Sequence, residues 1–157
     1  MRLNFLTPPP LPAELPDDLE QEVARLARCK SQAEVLHEAY NLLTRKYRGY
    51  RLKTITHLFA LFDVDVHHLW AKRGFLHCTH LNYLLKILLV CSGKFAENDV
   101  QLKWTQIYFH SPHQYVRVRL GGKWVCVDVW GNAYGIPFGS YAHGFHSGST
   151  FGRAKSH

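Results

Sequence analysis

Three residues in this chain have the chemistry to make and break an acyl bond. Cys78 stands in GFLHCTHLNYLLKILL, His113 in HQYVRV and Asp128 in WVCVDVW. A thiol is a nucleophile once an imidazole takes its proton, and a carboxylate fixes the tautomer of that imidazole and stabilises its cation. The aspartate raises the question first. A carboxylate among valines and tryptophans is costly unless something holds it.

The elements that must position these residues follow from periodicity. Leu81, Leu84, Leu85, Leu88 and Leu89 repeat at helical spacing and predict a helix ending near Cys91 and Ser92, with Gly93 as its cap. Cys78 falls at its first turn. Unpaired N–H groups and the helix dipole favour an anion there, and the same N–H groups could serve a tetrahedral oxyanion. After Asn98 the period changes to two. Residues 100–109, 113–120 and 123–130 read as strands, with Gly121-Gly122 as a two-residue hairpin turn. That turn sets Leu120 opposite Lys123, Val118 opposite Val125 and His113 opposite Trp130. Residues 113, 115 and 117 then share a face with 130, 128 and 126, so His113 and Asp128 are diagonal neighbours. A slip of one residue would part them.

Upstream, residues 1–16 are rich in proline and read as an extended arm. Helices are expected over 17–28, behind the capping pattern Ser31-Gln-Ala-Glu34 toward a stop at Gly49, and over 53–70. The last would use Ile55, Leu58, Phe59, Phe62 and Leu69 as its inner face. Helices followed by consecutive strands predict an α+β chain. The 157 residues, 46% of them hydrophobic, are expected to form one domain. Its parts would be the arm at 1–16, N-terminal helices at 17–73, a core at 74–135 and a Gly/His-rich wrap and tail at 136–157.

A cysteine opening an apolar helix, then His-x-aromatic-Val-x-Val on a strand, then Trp-Val-x-Val-Asp on the next, resembles the transglutaminase-like superfamily of cysteine enzymes. The resemblance rests on GFLHCTHLNYLLKILL, HQYVRVRLGGKW and WVCVDVWGNAYG, within 74–135. It implies a papain-like core, a Cys-bearing helix packed on an antiparallel sheet. It also implies Cys78 as nucleophile, His113 as general base and acid, and Asp128 as the orienting carboxylate. The implied activity is thioester-mediated acyl transfer from a peptide or protein amide, as a protease, an amidase or a protein-glutamine acyltransferase. Thr79 after the cysteine, Tyr115 two after the histidine and Val129 after the aspartate depart from common family choices and leave the subfamily open. VDVWGNAYG is also similar to arylamine N-acetyltransferases, which use the same ordered triad and are longer proteins. Asp128→Asn is expected to keep the fold and slow turnover.

Two other readings compete. The fold could serve as a binding module without turnover. The histidines, His77, His80, His110, His113, His143 and His146, could bind a metal with Cys78, although no standard zinc spacing is present. The expectation is no metal and no cofactor, with His77 or His80 tuning the thiol they flank. Gln106, Trp104, Asn82 and Trp70 are all candidates for an oxyanion donor. Cys29, Cys91 and Cys126 are expected to be ordinary thiols rather than a disulfide frame. The net charge of +7 permits an anionic partner, but no nucleic-acid motif is present and nucleic acid is not expected. With no apolar run of about 18 residues and no signal-peptide core, no membrane span is expected and the location is expected to be cytoplasmic.

Overall fold

The computed structural model describes residues 8–107 and 111–144. The chain is mixed α+β. Helices α1 (Asp17–Ala27) and α2 (Gln32–Lys46) come first, then the short strand β1 (Tyr47–Arg48) and helix α3 (Arg51–Thr56). A 3₁₀ turn (Leu58–Phe62), α4 (Val66–Ala71), β2 (Gly74–Phe75) and α5 (Cys78–Cys91) follow. A second 3₁₀ turn (Glu97–Asp99) leads to β3 (Val100–Ile107), β4 (Ser111–Leu120), β5 (Lys123–Val127) and α6 (Val129–Asn132). The last three strands form an antiparallel sheet in the order β3-β4-β5, and β1 pairs β2 in parallel.

Helix α5 is the centre of the molecule. It packs on α1 and α2 on one side and on β3 and β4 on another. Its residues from His80 to Leu89 are all buried, so its apolar stripe is widened to the whole circumference. Even Lys86 is buried, with its ammonium on the Glu97 carboxylate at 2.8 Å. The side of the sheet facing α5 carries Val100, Val116, Val118 and Val127, all buried. The N-terminal helices close the other flank through Leu19, Leu26, Leu36 and Leu43. Ser31 caps α2 by accepting from Glu34 N–H at 3.2 Å, while the Glu34 carboxylate takes the Lys30 N–H rather than that of Ser31.

The two-residue hairpin is present. Gly121 and Gly122 have φ of 57° and 79°, which suits glycine, and Val118 stands opposite Val125. Gly93 follows the end of α5. Of the proline-rich arm, residues 8–16 are described, and its Pro10 carbonyl accepts from the Tyr83 hydroxyl at 2.9 Å.

Two expectations need correction. The stretch 53–70 is not one helix but α3, a 3₁₀ turn and α4, separated at His57 and at Asp63–Asp65. Asp65 caps α4, its carboxylate accepting from the N–H of His67 and His68, which forces a helix start in the middle of the expected one. Of the expected inner face, Leu69 is buried, while Ile55, Leu58, Phe59 and Phe62 are exposed. The third strand also stops early, at Val127, because Asp128 caps α6. Phe109 and the tail 145–157 lie outside the described residues. Among the described residues no helix is long and apolar enough to cross a membrane.

Candidate active site

Cys78 is the first residue of α5, with His77 as the residue before the helix. Its side chain is half-buried and free, as are those of Cys29 and Cys126, while Cys91 is exposed. His113 lies near the start of β4, on the sheet face away from Gln114. Asp128 is the capping residue between β5 and α6. The structure brings all three together.

Asp128 is the best-held side chain of the three, 1% exposed. Its Oδ1 accepts from Gly131 N–H at 2.8 Å, and its Oδ2 accepts from Ala142 N–H at 2.9 Å and from His113 Nε2 at 2.7 Å. The buried charge therefore has three donors, which answers its desolvation cost. Gly131 has to be glycine for this: a Cβ there would come within 2.7 Å of Asp128 Oδ2.

His113 is 2% exposed, and the Trp130 ring lies against it at 5.2 Å between centroids. Burial alone would lower its pKa. The charge and hydrogen bond of Asp128, then the hydrogen bond and charge of Cys78, outweigh that and raise it to about 10. With Nε2 taken by Asp128, Nδ1 is the ring nitrogen left for the thiol. The site therefore favours an imidazolium between two acidic partners.

The positioning bond that periodicity does not reveal is made by Asn82. It lies one helical turn beyond Cys78 and is fully buried. Its Nδ2 donates to the Gln114 carbonyl at 2.7 Å, one residue from His113, so it ties the thiol's helix to the imidazole's strand. A buried amide inside an apolar run is the one sign of it in the sequence. Asn82→Ala is expected to cost about 1–3 kcal/mol in a urea titration, by leaving a buried carbonyl short of a partner. It is also expected to slow alkylation of Cys78 while leaving Cys91 unchanged.

The other candidates fall elsewhere. Asn82 is committed to Gln114, and Trp70 packs on Tyr47 beneath the Lys46 ammonium, 3.4 Å from the ring centroid. The Gln106 carbonyl receives Gly144 N–H at 2.8 Å, and Trp104 is partly exposed opposite Gln114. The aromatic wrap works as packing: Trp130 and Tyr134 are buried, Tyr141 stacks on Tyr115 at 3.9 Å, and Phe138 stacks on His37 at 4.2 Å.

His77 Nε2 donates to the His57 carbonyl at 3.0 Å, and burial lowers its pKa. Burial, with the neighbouring His77, lowers that of His80 to about 4. Both are neutral near pH 7, so neither supplies a cation to the thiol they flank. Among the described residues no three of His, Cys, Asp and Glu converge as a metal's ligands; His110 and His146 lie outside them.

Compared with protein-family models, with curated proteins and with solved structures, the chain shows no match.

Proposed function

We propose that this protein is a cysteine-dependent acyl-transfer enzyme acting on an amide, through Cys78, His113 and Asp128 as nucleophile, proton carrier and orienting carboxylate. The observation that carries the reading is the buried His113–Asp128 pair at 2.7 Å with the Cys78 thiol as the imidazole's other polar neighbour, at the start of a long helix.

The reaction follows from that arrangement. The Cys78 proton already rests on His113 in the imidazolium form, and the thiolate Sγ attacks the substrate carbonyl carbon. The new C–S bond pushes charge onto the carbonyl oxygen, where the unpaired N–H groups of the first turn of α5 stabilise it. The C–N bond then breaks, and its nitrogen takes the proton from His113 and leaves as an amine. What remains is a thioester on Cys78. Water or a second amine attacks it, His113 accepts the incoming proton, the C–S bond breaks, and the thiolate beside the imidazolium is restored. Water makes the enzyme a protease or amidase; an amine makes it a transamidase. Peptide or protein amides are the proposed substrates.

The thioester itself is the test. After incubation with a small active ester such as p-nitrophenyl acetate, peptide mapping is expected to find the acyl mass on Cys78. Cys78→Ala is expected to abolish both that label and the burst of nitrophenol. Equal labelling of Cys29, Cys91 and Cys126, or none at all, would remove the reading.

A further inference from the structure

Among the described residues the exposed large hydrophobic side chains, Trp104 aside, all fall within residues 50–64. Neither α3 nor the 3₁₀ turn after it buries a residue. Phe59 is 90% exposed and Leu52 is 74% exposed, with Ile55, Leu58 and Val64 also in solvent. Folding gains little from these side chains, and a concentration of this kind marks a surface that meets something else.

The same region carries an excess of cations. Arg45, Lys46, Arg48, Lys53, Lys72 and Arg73 stand against Asp63 and Asp65, of which Asp63 already holds Lys72 at 3.1 Å, and against Asp18 and Glu22 on the Lys46 side. The pairing of β1 with β2 brings residues 47–48 beside 74–75, and the Phe75 ring lies 6.0 Å from that of His57, between α3 and the 3₁₀ turn. The cations and the apolar side chains therefore belong to one part of the molecule.

We propose that this surface docks the protein on an anionic phospholipid bilayer, with the apolar side chains entering the boundary between headgroups and acyl chains and the cations meeting the headgroups. The charge decides against two other occupants. A second copy would set like charges against each other. Residues 1–7 and 145–157 carry Arg2, Arg153 and Lys155 and no acidic side chain, so they do not complement the surface either. An acidic protein would match the charge. However, the apolar side chains lie together on two short helical segments that bury none of their residues, an arrangement suited to a fluid layer that closes around them. The surface also borders the candidate site, since the His57 carbonyl holds His77 beside Cys78. On the proposed function, and only on it, the acyl substrate is then one presented at that lipid surface.

The experiment is co-sedimentation of the full chain with vesicles of phosphatidylcholine alone or mixed with phosphatidylglycerol. Binding is expected only with the anionic vesicles. It is expected to weaken about fivefold for each of Arg48→Gln and Lys53→Gln. Phe59→Ser is expected to weaken it about tenfold or more with an unchanged urea midpoint, since a side chain already in water contributes little to folding. Failure to bind anionic vesicles overturns the proposal. So does binding that Phe59→Ser and Leu52→Ser leave untouched, which would reflect net charge alone. Retention on immobilised poly-glutamate through Phe59, with no vesicle binding, would make the surface a protein dock and equally overturn it. None of these readings depends on catalysis, so they stand or fall apart from Cys78.

Discussion

With His113 replaced by alanine, iodoacetamide is expected to alkylate Cys78 at pH 6 about ten- to a hundredfold more slowly than in the intact chain. The thiolate is the species that reacts, and an ordinary thiol holds little of it at pH 6. An adjacent imidazolium raises that fraction, and the His113 pKa of about 10 keeps the ring charged across the neutral range. The gain is smaller than the change in thiolate fraction, because a stabilised thiolate is also a weaker nucleophile. Cys29, Cys91 and Cys126, mapped in the same digest, serve as internal controls and are expected to keep their rates. His113→Gln, which retains a polar partner for Asp128, guards against a loss caused by unfolding. If all four cysteines alkylate alike in the unaltered chain, the Cys–His pair does not exist, and the proposed function goes with it.

Asp128→Asn is expected to lower unfolding stability by about 3 kcal/mol at pH 6.5, a large loss for one atom exchanged. Oδ2 accepts from both His113 and Ala142, and Oδ1 accepts from Gly131. An amide offers one acceptor oxygen, so its NH₂ has to face a donor whichever way it is turned. The expectation from sequence, that this variant keeps its fold and loses only turnover, therefore changes: the wrap at Ala142 and the cap of α6 loosen as well.

The same pair gives a pH signature. The folded pKa of His113 is raised above its unfolded value of about 6.5, so the pair's contribution to stability is fully present below pH 6.5. It is lost as the pH rises toward 10. The urea midpoint is expected to fall between pH 6.5 and 9.5, by an amount on the order of a few kcal/mol in unfolding free energy. His113→Gln is expected to flatten that slope. Midpoints that track each other across this range in both proteins would show that the raised pKa is not what holds the pair.

Much of the architecture is legible because it repeats locally. The leucines of α5 announce a buried helix at 3.6-residue spacing, and alternation with Gly121-Gly122 gives the hairpin and its register. The register then carries His113 to the side of Asp128. Periodicity misleads where a single side chain overrides the pattern. Asp65 caps a new helix inside 53–70, and Asp128 ends β5 by capping α6. Capping is a one-residue event and leaves no period to read.

By itself, the sequence determined that the chain is α+β, that Cys78 opens the central helix, and that the imidazole on β4 meets the carboxylate that follows β5. These follow from side-chain alternation and from a hairpin whose geometry is local. Only the tertiary structure decided what holds them. Asn82 reaching Gln114, Ala142 N–H closing on Asp128, and Trp130 lying over His113 all join residues from separate elements. It also decided that Ile55, Leu58 and Phe59 face solvent, because the break at His57 and the cap at Asp65 split the stretch into segments that bury no residue before α4. Periodicity says which residues share a face, but only packing says whether that face finds a partner.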